Sequence, residues 1–259
     1  MCTLALYFQV FPEYPIVVAA NRDESLTRPS SAPVQLWPTP WVYGGQDLLA
    51  GGTWFGINQC GVVVGILNRQ ASSPPDPHCR SRGLLCLDAL KHDSATAAMQ
   101  CMMAQSALQY NPFTLVIADH VSAYVVHPRG QTLQSRQLPP GFYLFTNRDP
   151  NDLQCPRIAR SSQRFLEVGH HLSCAPTLPA ELFAQLHPLL SDHAPTTDAR
   201  DGLCLHLDGY GTCSSTLLAY AHRERRYAYY FAPGPPCRTA YKEVAVPLAG
   251  RANHPPSTT

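Results

Sequence analysis

The cysteine at position 2 is the residue whose type and place most directly suggest chemistry. It follows Met1 and precedes the alternating run TLALYFQV. Because residue 2 is small, removal of Met1 is expected and would leave a thiol and a free α-amine on one carbon. An α-amine, with a pKa of about 7.7–8.0, can accept the proton of a thiol, whose pKa is about 8.5 and whose sulfur is a nucleophile. The simpler alternative is a small apolar residue at the start of a strand.

The segment ANRDES carries the next group of reactive side chains. A hairpin of strands predicted at 3–10 and 15–21 would bring the end of the second strand level with Cys2. Asp23 could then hold the α-amine, and Arg22 could lower the pKa of the thiol or bind a substrate carboxylate. The alternative is a surface turn that contains an internal ion pair.

Two asparagines also follow apolar strands and could complete such a site. Asn68 ends the run GILN, and Asn147 ends the run LFTN. Amide side chains and backbone N–H groups are suitable donors to the oxyanion that forms when a nucleophile attacks a carbonyl. Asparagine after a strand is also a common turn former. The combination with Cys2 and the NRD segment, all predicted at strand ends, favours a nucleophile site.

The elements that would position these residues are mostly strands in hairpins. Strands are predicted at 3–10, 15–21, 53–58, 61–67, 113–119, 122–127, 141–147, 215–221 and 226–231. Helical spacing of apolar residues is predicted at 82–91, 94–109, 156–168 and 180–190. Because hairpins dominate, we expect an α+β protein whose sheets are antiparallel and whose helices pack outside them.

Length and composition favour one folded domain. The chain has 259 residues, of which 45% are hydrophobic, so it can bury one large core. A single domain is predicted over 1–248, because no repeat or linker divides the chain. The segment AGRANHPPSTT at 249–259 is predicted to be a disordered tail.

Charge and hydropathy limit the classes of partner. The formal net charge is +1 and no basic stripe stands out, so no nucleic-acid partner is predicted. The start of the chain contains polar residues and soon reaches Pro12 and Pro15, which is unlike a secretory signal. No stretch approaches the length of a membrane-spanning helix. These features predict a cytoplasmic protein without an integral membrane segment.

The ten cysteines show no spacing typical of a metal site or a disulfide scaffold. They include no CxxC pair, and the chain is long and lacks a secretory signal. Neither a disulfide framework nor a zinc ribbon is therefore predicted, and no metal site is assigned.

Several motifs resemble those of one protein family. They are NRDE at 21–24, AGGTWFGINQCGVVVGILNR at 50–69, RSRG at 80–83, YNPFTLVIAD at 110–119, FTNRDP at 145–150 and YGTCSST at 210–216. The pattern is similar to the NRDE family, also called the transport and Golgi organisation protein 2 family. That family resembles a branch of the N-terminal nucleophile hydrolases that includes choloylglycine hydrolases and penicillin V acylases. The resemblance implies a four-layer αββα sandwich with two stacked antiparallel sheets.

The resemblance also implies roles for single residues. Cys2 matches the acylase nucleophile, and Asp23 matches the aspartate that contacts its α-amine. Asn68 and Asn147 match the two oxyanion positions, and Arg160, in RIARSSQRF, matches a later acylase arginine.

Two positions depart from the implied pattern. The acylases have an arginine three residues before the aspartate, whereas here Arg22 directly precedes Asp23. Members of the family usually read YGTRSS, whereas this chain has Cys213 in place of the arginine. That replacement removes a fixed charge that could anchor an anionic substrate or form a salt bridge.

The first of two candidate functions is a cysteine N-terminal nucleophile hydrolase that cleaves a small amide. Its catalytic residues would be Cys2, Arg22, Asp23, Asn68 and Asn147. Its substrate-binding residues would be Asn21, Trp54 and Arg160. No cofactor is expected, and the resemblance to acylases implies a homo-oligomer.

The second candidate is a non-catalytic protein that uses the same pocket. The resemblance implies roles in haem trafficking and in lipid or acyl-CoA handling, in which haem would be a ligand. His120, His127 and His206 are possible axial ligands, although a lone histidine near a strand end is usually a surface or hydrogen-bonded residue. No CxxCH motif for covalent haem attachment is present.

Overall fold

The chain folds into four layers, in the order helices, sheet, sheet and helices. A computed structural model describes residues 2–71, 73–174, 178–194 and 198–250. Both sheets are antiparallel and have seven strands each. This architecture confirms the predicted α+β sandwich with two stacked antiparallel sheets.

The strands alternate with two pairs of helices along the chain. In chain order the strands are β1 Thr3–Phe8, β2 Ile16–Ser25, β3 Ser30–Pro38, β4 Trp41–Asp47, β5 Thr53–Asn58, β6 Val63–Asn68, β7 Phe113–Ala118, β8 Ala123–Arg129, β9 Thr132–Leu138, β10 Gly141–Phe145, β11 His206–Leu207, β12 Tyr210–Ala221, β13 Arg226–Ala232 and β14 Lys242–Glu243. The helices are α1 Arg82–Ala89, α2 Ala95–Met103, α3 Pro156–Leu172 and α4 Pro179–Leu190. The first sheet has the order β10-β1-β2-β12-β13-β14, with β11 paired to β12, and the second runs from β3 to β9 in chain order.

Three apolar clusters hold the layers together. The central one packs side chains such as Leu6 of the first sheet against side chains such as Phe55 of the second. A second cluster, which includes Leu85, packs α1 and α2 on the outer face of the second sheet. A third, which includes Tyr7 and Phe165, packs α3 and α4 on the outer face of the first sheet. Neighbouring residues of β1 therefore serve different layers, because successive side chains on a strand point to opposite faces.

The second strand is longer than the sequence predicts. The NRDE motif was expected after the strand, but β2 continues to Ser25 because β12 pairs with it along its whole length. Asn21, Arg22 and Asp23 are consequently buried inside the first sheet. The alternative of a surface turn with an internal ion pair is therefore wrong.

Five strands have no counterpart in the sequence-based prediction: β3, β4, β9 and the two-residue strands β11 and β14. β3 contains Pro33 and Pro38, and β4 contains Gly44 and Gly45, all residue types that are depleted in strands. β9 is polar and mostly exposed. β3 and β9 are the two edges of the second sheet, where proline and polar residues are tolerated because one side of the strand has no neighbour.

The helices begin close to the predicted positions, but two of them end elsewhere: α3 continues to Leu172, four residues beyond the predicted 168. The helix expected at 94–109 ends earlier, because α2 stops at Met103 and a separate 3₁₀ turn covers Ala107–Gln109. Ser94 caps the start of α2 as predicted, and its hydroxyl accepts a hydrogen bond from the Ala97 N–H. Within the described ranges, no helix combines the length and apolar character needed to cross a membrane.

The end of the described chain is attached to the fold. The N–H of Ala249 donates to the Arg225 carbonyl at 2.7 Å, and the N–H of Gly250 donates to the Gln59 carbonyl at 2.6 Å. These are the first two residues of the tail predicted at 249–259. The remainder of that segment, 251–259, lies outside the described residues, and the single domain over 1–248 stays a prediction.

Candidate active site

Cys2 lies at the start of β1, between two neighbouring strands. When the pairings of β1 with β2 and with β10 are continued to position 2, Cys2 falls level with Arg22 on one side and Asn147 on the other. Its Sγ lies 3.8 Å from the backbone oxygen of Asp23. A strand held on both sides provides the rigid support that a nucleophile needs.

Cys2 borders a cavity of about 320 Å³. The other walls include Arg22 of β2, Trp54 of β5, Asn68 at the end of β6 and Arg82 of α1. Cys2 is half-buried, and burial raises the pKa of its thiol above the ordinary value. The thiol is therefore mostly neutral at pH 7 unless a nearby base accepts its proton.

Asp23 lies behind Cys2 in a closed hydrogen-bond network. Its carboxylate accepts from Nη1 of Arg157 at 3.1 Å and from the Thr212 hydroxyl at 2.7 Å. The same arginine nitrogen donates to the Thr3 hydroxyl at 2.9 Å. Burial raises the pKa of the Asp23 carboxyl, and Arg157 and Thr212 oppose that rise because they stabilise the carboxylate. Asp23 is thus a fixed acidic group suited to hold an α-ammonium.

Arg157, rather than Arg160, is the arginine of α3 that reaches this network. The side chain of Arg157 is 3% exposed and forms an ion pair with Asp23. Arg160 instead pairs with Asp192, just beyond α4. The structure therefore places Arg160 outside the cavity and gives Arg157 the position beside Asp23.

The sequence of α3 contains a pattern from which the role of Arg157 could have been predicted. Arg157, Ser161 and Phe165 recur at four-residue spacing and share the buried face of the helix. Arg160 lies on the adjacent face and is partly exposed. An arginine in an apolar helical stripe is rare enough to indicate a buried partner.

The buried side chain of Asn21 forms hydrogen bonds that connect the first sheet to neighbouring segments. Its Nδ2 donates to the carbonyls of Leu190 and Leu203, both at 2.8 Å, and its Oδ1 accepts from the Ser215 hydroxyl at 2.6 Å. Both amide N–H donors are therefore engaged with backbone oxygens. The side chain predicted to bind substrate instead ties β2 to the end of α4.

The two asparagines predicted as oxyanion donors differ in position. Asn68 is exposed and lines the same cavity as Cys2. Asn147 lies two residues beyond β10, and its carbonyl accepts from the Gln70 N–H at 2.8 Å. Asn68 is therefore placed to contact a ligand in the cavity. Asn147 instead lies level with Cys2 when the pairing of β1 with β10 is continued by two residues.

Trp54 and Arg22 together form one wall of the cavity. Cζ of Arg22 lies 4.4 Å from the centroid of the Trp54 ring, which is a cation–π contact. The position of the indole depends on Gly45, because a Cβ there would lie 2.3 Å from Cζ2 of Trp54. Among the described residues no carboxylate lies within ion-pair distance of Arg22, so its charge remains available to a ligand.

Arg82 lines the cavity because the start of α1 packs closely against the residues at the start of β5. Ser81 caps α1 and accepts from the Gly83 N–H at 3.2 Å. A Cβ on Gly52 would lie 2.0 Å from the carbonyl carbon of Gly83, so the AGGT and RSRG motifs let the two backbones touch. Burial lowers the pKa of the Arg82 guanidinium, because loss of solvent disfavours its charged form. Its Nη1 donates to the Pro112 carbonyl at 3.1 Å.

Cys213 lies at an irregularity of β12, where its pairing with β2 shifts register after Thr212. Its Sγ lies 3.5 Å from the backbone oxygens of Glu24 and Gly211. The cysteine thus contacts the backbone of β2 next to the threonine that binds Asp23. Burial raises the pKa of the Cys213 thiol, so a neutral side chain stands where the family resemblance implies an arginine.

Solved structures with similar architecture define the class of fold. An N-acylethanolamine-hydrolyzing acid amidase orthologue from Caenorhabditis elegans aligns with a TM-score of 0.53 and 14% identity, over 84% of this chain and 92% of that one. A penicillin V acylase from Agrobacterium tumefaciens gives 0.54 and 14%, over 90% and 83%. A mutant conjugated bile acid hydrolase from Clostridium perfringens gives 0.51 and 12%, over 98% and 99%. The chain therefore has the fold of the N-terminal nucleophile hydrolases.

The sequence also matches one family over most of its length. The sequence model of the family described as Transport and Golgi organisation 2 matches residues 1–230. The chain therefore belongs to this family. The mouse Transport and Golgi organization 2 homolog is 26% identical over 248 residues, which span 84% of this chain and 88% of that protein. The human homolog is 26% identical over 246 residues, with the same coverage. The family resemblance read from the motifs is confirmed.

Proposed function

We propose that this protein is a cysteine N-terminal nucleophile amidohydrolase whose substrate is a small amide with an anionic group. The observation that carries the proposal is the position of Cys2. It lies on the wall of a cavity of about 320 Å³, and the buried pair of Asp23 and Arg157 lies directly behind it. The three structures with the same fold are an acid amidase orthologue, a penicillin V acylase and a conjugated bile acid hydrolase.

The proposed reaction requires Cys2 to be the first residue. Its α-amine accepts the thiol proton while Sγ attacks the amide carbonyl carbon, and Asp23 stabilises the resulting ammonium. Asn68 is the donor on the cavity wall that is suited to bind the oxyanion. The C–N bond then breaks, and the ammonium returns the proton to the leaving amine. Water hydrolyses the Cys2 thioester by the same proton route, which releases a carboxylic acid and restores the thiol.

The proposed anionic group of the substrate follows from the charges on the cavity walls. Arg22 and Arg82 both line the cavity, and neither guanidinium lies within ion-pair distance of a carboxylate in the described part of the chain. A substrate carboxylate would offset the desolvation that lowers the pKa of Arg82. By contrast, Arg28, on the same wall, already pairs with Asp47 at 2.7 Å.

Arg82→Gln is expected to raise KM for anionic amides by about tenfold to a hundredfold, because a charge-assisted hydrogen bond is worth about 1.5–3 kcal/mol. The measurement compares two amide substrates that differ only in a carboxylate or a neutral carboxamide. The neutral substrate serves as the control and should show less than about a threefold change in KM. An equal effect on both substrates would argue against recognition of an anion by Arg82.

The reactivity of Cys2 is expected to depend on whether Met1 is removed. In a chain that carries an uncleaved N-terminal extension, burial keeps the thiol pKa above its ordinary value, so alkylation by iodoacetamide should be slow at pH 7. The rate should rise about tenfold per pH unit until the pH passes that raised pKa. In the processed chain the α-amine accepts the proton, and Cys2 should alkylate first among the ten cysteines at pH 7.

Intact mass and peptide mapping measure both properties in one experiment. The mass shows whether Met1 is absent, and mapping after a brief iodoacetamide dose shows which cysteine reacted. Retention of Met1 in the native protein, or a Cys2 no more reactive than the others, would rule out the nucleophile mechanism.

The alternative of haem binding has less support from the cavity than the hydrolase proposal has. His120 stacks on His222 with ring centroids 3.5 Å apart, and His206 belongs to a separate cluster of cysteine and histidine side chains. His120, His127 and His206 are not among the described residues that line the cavity. Within the described part of the chain, no histidine on the cavity wall is therefore placed to serve as an axial ligand of haem beside Cys2. Titration with haem and acyl-CoA is the appropriate test if Cys2 proves unreactive.

A further inference from the structure

A second cluster of reactive side chains lies outside the cavity. It consists of His193, Cys204, His206 and Cys237, and one nitrogen or sulfur atom from each lies within 4.8 Å of the others. His193 follows α4, Cys204 lies just before β11, His206 begins that strand, and Cys237 follows β13. We propose that these four side chains bind one Zn²⁺ ion. This site departs from the expectation of no metal site, and it is independent of the proposed hydrolase activity.

The distances within the cluster fit a tetrahedral ion. Sγ of Cys204 lies 3.6 Å from Sγ of Cys237 and 3.8 Å from Nε2 of His206, and that nitrogen lies 3.2 Å from Sγ of Cys237. Zinc bonds of roughly 2.3 Å to sulfur and 2.0–2.1 Å to nitrogen place tetrahedral neighbours about 3.8 Å apart for two sulfurs and about 3.6 Å for sulfur and nitrogen. Small side-chain shifts would therefore accommodate the ion.

The His193 ring is oriented as a metal ligand. Its Nδ1 lies 3.0 Å from the carbonyl oxygen of Cys204. A carbonyl can only accept, so Nδ1 carries the proton and Nε2 keeps a lone pair for the ion. Metal-bound histidines commonly donate their other ring N–H in this way. The N–H groups of Leu203 and Cys204 both donate to the Asp192 carbonyl at 3.0 Å, which fixes the two segments against each other.

A disulfide or a set of hydrogen bonds fits the cluster less well than zinc does. Cys204 and Cys237 are both free cysteines, and their sulfurs lie 3.6 Å apart rather than at the about 2.05 Å of a disulfide. Hydrogen bonds alone would hold the cluster weakly, because thiols are poor donors and acceptors. Two thiolates and two imidazoles suit Zn²⁺, whereas Mg²⁺ and Ca²⁺ prefer oxygen ligands.

A site with four protein ligands leaves no open position, which is typical of structural zinc. The ion would join three separate segments of the chain. It would also brace the segment that supports the first sheet, because the Leu205 N–H donates to the Thr212 hydroxyl and Asn21 donates to the Leu203 carbonyl. Thr212 in turn donates to Asp23. The proposed ion therefore stabilises the framework behind Cys2 without contacting the cavity.

The test is a titration of the full-length, chelator-treated protein with Co²⁺ in oxygen-free buffer, followed by displacement with Zn²⁺. We expect one ion per chain, a thiolate-to-cobalt charge-transfer band and visible absorption of tetrahedral intensity, all lost on addition of Zn²⁺. Metal analysis of the native protein should give the same stoichiometry. Added zinc should also raise the melting temperature of the apoprotein.

Matched variants identify the ligands. Cys204 is buried, so the half-buried Cys237 and the exposed His193 are the positions to change. Cys237→Ser and His193→Ala should each weaken Co²⁺ binding by more than about 100-fold, beyond the loss expected for a residue that only positions a ligand. Cys174→Ser, at an exposed cysteine outside the cluster, should bind Co²⁺ like the unmodified chain. The absence of the charge-transfer band, an unchanged band in Cys237→Ser, or a Cys204–Cys237 disulfide in the native protein would overturn the proposal.

Discussion

Cys2→Ala is expected to lower amide hydrolysis by at least about 1000-fold, because removal of a covalent nucleophile leaves only binding and oxyanion stabilisation. The melting temperature should fall by no more than about 4 °C, since the change removes a single sulfur atom from a half-buried side chain at the edge of the central cluster. Steady-state kinetics and a thermal melt on the same preparation measure the two effects. The separation of activity from stability is the expected result for a residue whose role is chemical.

The matched control for this substitution is Cys60→Ala. Cys60 is also half-buried, but it lies in the turn between β5 and β6, away from the cavity. It should retain full activity. Cys2→Ser supplies a second comparison, since it keeps the α-amine and replaces the thiol with a poorer nucleophile, so activity should be weak but measurable. A Cys2→Ala protein that hydrolyses the substrate normally, or that loses stability without any change in activity, would contradict the nucleophile role.

The fold could be read from the sequence to the extent that local pattern determines it. Alternation in β1 and the apolar runs of β5 to β8 identified hairpins, because each strand pairs with its neighbour in the chain. The edge strand β3 was missed, because its prolines are permitted by the absence of a second neighbour, which no local pattern records. The length of β2 was missed because its pairing with β12 joins residues nearly two hundred positions apart.

The same contrast between local patterns and distant contacts applies to the candidate site. Cys2 and Asp23 could be proposed from their residue types and from one hairpin, which is a local relation. The partner of Asp23 could not, because Arg157 and Thr212 come from a helix and a strand far along the chain. The cysteine and histidine cluster was missed for the same reason, since three segments meet only in the folded chain.

The ion pair behind Cys2 gives the second large prediction. Arg157→Met should destabilise the protein by about 3–5 kcal/mol, because it leaves the Asp23 carboxylate buried without its cation. The matched control is Arg160→Met, one turn further along α3, whose partly exposed pair with Asp192 should be worth no more than about 1 kcal/mol. Denaturant unfolding of both variants measures the difference. Equal losses would contradict the special position of Arg157 beside Asp23.

The pH dependence identifies the cause of the loss. Removal of the Arg157 cation should raise the pKa of Asp23 further, because burial already raises it and the guanidinium opposes that rise. Above that raised pKa the variant must bury an unpaired carboxylate, and below it the carboxyl is neutral. The stability deficit of Arg157→Met should therefore be largest at neutral pH and should shrink as the pH falls through the raised pKa.

A second substitution tests the same pair by another route. Asp23→Asn combined with Arg157→Met removes both charges, so the double variant should recover most of the stability lost in Arg157→Met. It should nevertheless remain inactive, because a neutral amide cannot hold an α-ammonium beside Cys2. Recovery of stability without recovery of activity would separate the structural role of the pair from the chemical role of Asp23. A double variant no more stable than Arg157→Met would show instead that lost packing of the arginine, rather than an unpaired charge, causes the instability.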